Sequence, residues 1–304
     1  IKLDAAPLKR EAIEKLKKEG RFEQAVEIER RAHARGMDNP SLSTSKKMTS
    51  KVLSAPNINK VLVILIDFSD KPYTAGGVAA TPAMFDSLLF SDNRKNPTGS
   101  MKEYFLENSY GNFILDGDIV GWYRAPQHSY FYSNYCDGSA GLEDSTYPHN
   151  AMRLIEDAVD LADADVDYSQ YDNDGDGYVD DLFVVFAGGG YNVTGEPCDL
   201  SPHMWRITPR LRDGVYIKTY SMESEQDDSN PYIPKLCGIG LYCHEYGHVL
   251  GLPDLYDYGY TSLGAGNWSL MAIGMYNGDT RIPAQIDAWN KIKLGFITPT
   301  IIDS

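Results

Sequence analysis

Apolar residues along the chain follow two periodicities, and each marks a different kind of element. Val61 to Ile66 is apolar without interruption, the pattern of a central strand buried on both faces. Leu182 to Ala187 is a second short buried strand, and it runs into Gly188-Gly189-Gly190. Phe113 to Trp122 alternates instead, as a strand with one wetter face does. Helical spacing governs Pro82 to Phe90, Ser100 to Ser109 and Ala151 to Ala162; the last has apolar residues at 151, 154, 155, 158, 159 and 162. Near the amino end, Leu8, Ala12 and Leu16 and then Phe22, Ala25, Val26 and Ile28 predict two short helices broken at Gly20. Arg35 to Ser50 is rich in Gly, Pro, Ser and Thr and reads as a linker. Strands mixed with helices predict an α/β or α+β domain.

Charge divides the chain along the same line. The 304 residues carry −15 overall, yet residues 1–35 carry +3. The first 50 residues therefore read as a basic helical pro-segment and linker lying on an acidic domain of residues 51–304. The acidity argues against nucleic acid as a partner. No run of 18 apolar residues occurs, so no membrane span is predicted. Ile1 in place of Met fits a signal peptide already removed, and a secreted protein is expected. The four cysteines, Cys136, Cys198, Cys237 and Cys243, allow three pairings in an oxidising compartment, of which Cys237–Cys243 with Cys136–Cys198 is favoured.

The segment Cys243-His244-Glu245-Tyr246-Gly247-His248-Val249-Leu250-Gly251-Leu252-Pro253-Asp254 carries the chemistry. On a helix, His244 and His248 leave one face a turn apart and can reach one zinc ion. Glu245 then faces the water that the ion binds. Zinc needs a third protein ligand and an open position. No Glu follows Glu245, so a carboxylate of that type from a later helix is excluded. Gly251 suits the left-handed turn that ends a helix, and Pro253 prevents its resumption. Asp254 stands where the third ligand is needed, with Asp257 as its rival.

This motif resembles that of the metzincin peptidases, whose helix is followed by a glycine and then by His or Asp. In its fuller form, HEYGHVLGLPDLYD, it is similar to the immune inhibitor A-type bacterial metallopeptidases. Ser109-Tyr110-Gly111, Gly121-Trp122-Tyr123, Asn267 to Ala272, Pro283-Ala284 and Trp289 to Phe296 extend the likeness over residues 60–296. The resemblance implies an α+β metzincin-like fold with a twisted mixed sheet, an active-site helix, and upper and lower parts divided near residue 251. It implies a Met-turn with Met271 beneath the zinc, Met275 being the competitor. It also implies substrate pairing along an edge strand, for which Leu182 to Ala187 is the candidate, and latency imposed by the pro-segment. Tyr276 is the nearest candidate for a second electrophile, at a spacing that departs from the family pattern. No Cys precedes Cys136, so the expected inhibitory ligand is Asp38, ahead of Pro40.

Asp172, Asp174 and Asp176, with Gly177 at the sharp turn, form a loop of EF-hand type. The Tyr178 carbonyl and Asp180 complete it, and the bidentate Glu at its twelfth position is missing. Structural calcium is the expected occupant, with Asp165 and Asp167 as possible additions. The expected function is secreted, zinc-dependent cleavage of protein or peptide substrates. The rivals are an inert zinc-binding adhesin and a metal-dependent hydrolase of non-peptide amides.

Overall fold

A computed structural model describes residues 6–37, 57–74, 80–92, 99–180, 182–227 and 236–300. Asp38 and most of the predicted linker lie outside the described residues. The elements run α1 (Arg10–Lys18), α2 (Phe22–Arg35), β1 (Asn57–Asp67), α3 (Pro82–Phe90), α4 (Met101–Asn108), β2 (Phe113–Arg124) and α5 (Ser129–Tyr132). They continue α6 (Ala151–Ala162), β3 (Leu182–Gly189), α7 (Tyr191–Thr194), β4 (His203–Arg212), β5 (Val215–Gln226), α8 (Ile239–Val249) and α9 (Ala288–Lys293).

The strands form one mixed sheet in the order β2-β1-β3-β5-β4. Its first four strands pair in parallel and β4 runs antiparallel on the edge. The uninterrupted apolar run of β1 follows from this placement. Leu62, Ile64 and Ile66 enter a core with α6 on one face, while Val61, Val63 and Leu65 enter a core with α3, α4 and α8 on the other. β3 divides in the same way, with Leu182, Val184 and Phe186 on the first face and Phe183 and Val185 on the second.

Where β2 crosses β1 the backbones approach closely. A Cβ at Gly117 would stand 2.4 Å from the Val61 carbonyl oxygen, and one at Gly121 would stand 2.3 Å from that of Leu65. These glycines interrupt the alternation of β2 for steric reasons.

Two expectations are corrected here. Leu182 to Ala187 is not an edge strand: β3 lies between β1 and β5, so its backbone hydrogen-bonding groups are already taken. The edges of the sheet are β2 and β4. The Cys136–Cys198 disulfide is present, but Cys237 and Cys243 are free buried thiols. Cys243 sits in α8 against the second core, whereas Cys237 precedes that helix beside Asp227 and Thr280. The two thiols face different neighbours, and burial raises both well above the usual range.

The leading helices lie against the larger domain. Ile28, Ala32 and Met37 join the α6 core, and Leu8 and Leu16 pack with Ala25, Ala140 and Tyr191. Arg35 pairs with Glu143 at 2.9 Å, and Lys15 pairs with Glu196. The basic charge predicted for this region thus meets acidic partners. Among the described residues no helix is long and apolar enough to cross a membrane.

Candidate metal centre

α8 is buried along its whole length and carries His244, Glu245 and His248. Gly251, at φ +94°, ends it, and the Leu252 N–H donates to the Gly247 carbonyl at 2.8 Å. That left-handed turn is costly for any residue with a Cβ. It reverses the chain within one turn and brings Asp254 back over the helix.

The Nε2 atoms of His244 and His248 lie 3.3 Å apart. Asp254 Oδ1 lies 3.2 Å from the first and 3.4 Å from the second. Each imidazole is oriented from behind: His244 Nδ1 donates to the Leu270 carbonyl at 3.0 Å, and His248 Nδ1 donates to that of Leu252 at 2.9 Å. With Nδ1 donating, each Nε2 presents a lone pair to the same point. Three electron-pair donors converging in a buried place repel one another unless a cation or protons lie between them. These residues therefore fit a metal ion with nitrogen and oxygen ligands. With the imidazoles protonated and no ion between them, burial pushes the Asp254 carboxyl up, but the charge and hydrogen bonds of His248 and His244 outweigh it and hold the group below its ordinary range.

The support beneath the helix is a methionine. A Cβ on Gly247 would stand 2.5 Å from the Met271 sulfur, so glycine between the two histidines lets that sulfur touch the helix. The Met271 carbonyl accepts the Leu255 N–H at 2.6 Å, which ties the turn to the loop of Asp254. Met275 lies further along: its carbonyl oxygen would meet a Cβ on Gly240 at 2.1 Å. Asp257 is directed elsewhere. It accepts the N–H groups of Gly259, Thr261 and Ser262, and the Thr261 hydroxyl leads these bonds in lowering its carboxyl to about 2.

Tyr276 is partly buried, and its hydroxyl accepts from Asn192 Nδ2 at 2.7 Å and donates to the Pro7 carbonyl at 2.5 Å. Burial and the charge of Asp227 raise its phenol well above the ordinary value, and Glu245 adds to the effect. Glu245 itself is fully buried. His203 is a satisfied core residue, bonded to the Ser201 carbonyl and the Tyr220 hydroxyl, and burial lowers it to about 4.

Carboxylate oxygens of Asp172, Asp174 and Asp176 form the second convergent group, all within 4.8 Å of one another. The Asp176 N–H donates to Asp172 and Asp174 at 3.0 Å. Asp180 accepts the Asn173 N–H at 2.7 Å. Burial, and then the neighbouring Asp174, Asp176 and Asp172, raise its carboxyl to about 7, against the pull of that hydrogen bond. The Asn173 side chain brackets the Lys60 N–H and carbonyl, fastening the loop to β1. Asp165 and Asp167 do not join this group; they accept the Tyr123 hydroxyl and cap Ser169 respectively.

A buried His-His-Asp centre on a glycine-terminated helix, with an acidic residue beside its first ligand, is the arrangement of a metal-dependent hydrolase. The model of the immune inhibitor A peptidase M6 catalytic domain matches residues 49–296, and the chain belongs to that family. It is similar to the pre-pro-metalloprotease PrtV of Vibrio cholerae, with 29% identity over 276 residues, covering 77% of this chain and 29% of that protein. It is also similar to immune inhibitor A of Bacillus thuringiensis, with 27% identity over 257 residues, covering 72% of this chain and 37% of that protein. The chain thus spans about a third of the length of these relatives.

Sequence reading missed one group at this site, the residues 6–9 that lie against Tyr276, Asn192 and Pro202. The signal available for them was only the apolar Leu8 beside a basic residue.

Proposed function

We propose that the chain is a zinc-dependent endopeptidase, described with its pro-segment docked. The observation that carries this reading is the convergence of His244, His248 and Asp254 at 3.2–3.4 Å, with both Nδ1 atoms donating to carbonyls. The two imidazoles and one carboxylate suit zinc and leave a fourth place for solvent. Zinc held there would acidify a bound water and polarise a peptide carbonyl. Glu245, adjacent to the first ligand, takes the proton of the attacking water and returns it to the leaving amine. Met271 supports the floor of the site in the manner of a Met-turn.

Latency is supported by the same neighbourhood. The Ala6 N–H donates to the Pro202 carbonyl at 3.0 Å, immediately before the edge strand β4, and the Lys9 N–H donates to that of Asn192 at 2.7 Å. The Pro7 carbonyl occupies the Tyr276 hydroxyl, whose phenol senses the charge of Glu245. Residues 6–9 therefore stand where an extended substrate would pair. Asp38, which lies outside the described residues, is proposed from its place before Pro40 as the carboxylate directed at zinc in the latent form. Calcium is proposed for the Asp172, Asp174, Asp176 and Asp180 loop as a structural ion that fixes the entry to β3. A secreted location agrees with the disulfide.

Hydrolysis of casein that stops with a chelator and with Glu245→Ala, in protein that still binds one zinc per chain, tests the central reading. Zinc bound without hydrolysis, in protein cleaved between the leading helices and β1, would favour the adhesin instead.

A further inference from the structure

The hydrogen bonds of residues 6–9 run mainly through main-chain atoms, while the Ala6 and Leu8 side chains are buried in apolar clusters. Ala6 and Lys9 donate to carbonyls, Pro7 accepts from Tyr276, and the Leu8 N–H donates to the Tyr260 hydroxyl at 2.9 Å. Main-chain contacts of this kind hold any sequence. The charged contact is the side chain of Lys9. Its Nζ lies 3.5 Å from Asp227 Oδ1 and 5.7 Å from the centre of the Tyr276 ring.

Asp227 follows β5 directly, and its side chain is 4% exposed. The other pairs that this region makes with the larger domain are wetter: the Glu196 side chain is 57% exposed and that of Glu143 is 15% exposed. Wet pairs contribute little, whereas a buried carboxylate is costly unless a cation meets it. Among the described residues, Lys9 is the one cation in ion-pair reach of Asp227. Burial raises the Asp227 carboxyl, Lys9 draws it back, and Asp279 raises it further, so the place is electronegative.

It is also adjacent to the reaction centre. Thr280, beside Asp227, holds the start of α8 by accepting the Gly238 N–H on its hydroxyl at 2.8 Å and the Gly240 N–H on its carbonyl at 2.7 Å. Tyr276 lies under the Lys9 ammonium and within reach of the charge of Glu245.

We propose that Asp227, with Tyr276 and Thr280, forms a side-chain pocket selecting a basic residue of the substrate, and that Lys9 occupies this pocket in the latent form. The inference rests on the peptidase reading and names the substrate class of that site. A neutral side chain would leave Asp227 buried without its counter-charge, a mismatch that sites built around polar groups reject strongly.

Two measurements on the full zinc-loaded chain test it. In the first, the chain is cleaved in the 42–60 linker by immobilised trypsin, the trypsin is removed, and cleavage sites are then mapped in a peptide library. Lys and Arg are expected to be enriched about tenfold over norleucine at one fixed position from the cut bond. Asp227→Asn should bring that ratio to within about twofold, and Asp227→Lys should turn the preference toward acidic residues. Hydrolysis without basic enrichment, or enrichment that survives Asp227→Asn, overturns the pocket and leaves the peptidase reading intact. Absence of all hydrolysis removes both.

The second measurement needs no turnover. Hydrogen exchange at the amides of Ala6, Leu8 and Lys9 should speed up about tenfold in Lys9→Met and stay unchanged in Arg10→Met, whose parent side chain is 86% exposed. Equal exchange in the two variants overturns the proposal even if the Asp227 variants fail to fold.

Discussion

The two convergent acidic sites differ in how their ligand atoms are held. At the His244, His248 and Asp254 centre, the imidazoles are fixed from behind by carbonyls of Leu270 and Leu252, and the third ligand is delivered by the turn at Gly251. The side chains of all three are fully buried. In the Asp172–Asp180 loop the carboxylates are held by N–H groups of the loop itself, and most of them reach solvent. The first site is organised by the rest of the fold and so can serve chemistry. The second organises itself, and an ion there acts mainly on the local chain.

The contrast breaks most easily at Glu245. Glu245→Gln should lower peptide hydrolysis about 10³-fold while metal analysis still finds one ion per chain; activity within tenfold of the parent would remove Glu245 from the chemistry. Next, Asp254→Ala should weaken zinc by more than the 10–100-fold expected for an outer-shell change, as read by competition with a chromogenic chelator. Asp257→Ala should leave zinc affinity unchanged, because Asp257 caps its own turn.

A smaller effect is expected at the loop. Calcium at 100 times its dissociation constant should add about 2.7 kcal/mol, or roughly 5–10 °C in melting temperature for a domain of this size. Asp174→Asn should remove most of that gain without loss of zinc. An equal calcium shift in parent and variant would mean that the ion binds elsewhere.

The last effect is on pH. Without calcium, the Asp180 carboxyl is raised from 3.8 to about 7 in the folded protein. Between these values the unfolded chain is ionised and the folded chain keeps the proton, so folding takes up a proton. Stability from this group is complete below pH ~4 and declines as pH rises to ~7. A denaturation series in EGTA should show that decline, and saturating calcium should abolish it. A series that is flat in EGTA would show that Asp180 does not carry the proton.

Much of this was legible in the sequence, and what was not has physical causes. β1 and α6 were plain because burial on one or two faces imposes strict periodicity. The convergence of His244, His248 and Asp254 was plain because a helix fixes the spacing of the histidines and Gly251 fixes the turn. β4 and β5 left no such trace. β5 buries Thr219, Ser221, Glu223, Ser224 and Glu225, so a strand in the middle of a sheet carries the polar composition of a loop. Missing it also misplaced the edge, since β3 is internal only because β5 covers it. The disulfide depended on tertiary proximity, with Cys136 and Cys198 separated by 62 residues.

The loop that delivers Asp254 is also gripped from outside. Beyond the ligand, Tyr258 stacks on His33 at 4.7 Å, and Tyr260 donates to the buried Glu29 while accepting from Leu8. The leading helices therefore act as a splint on the arm that carries one ligand. On the proposed reading, stripping them away changes the tension on that arm, so the cleaved molecule is expected to exchange zinc faster than the intact chain does.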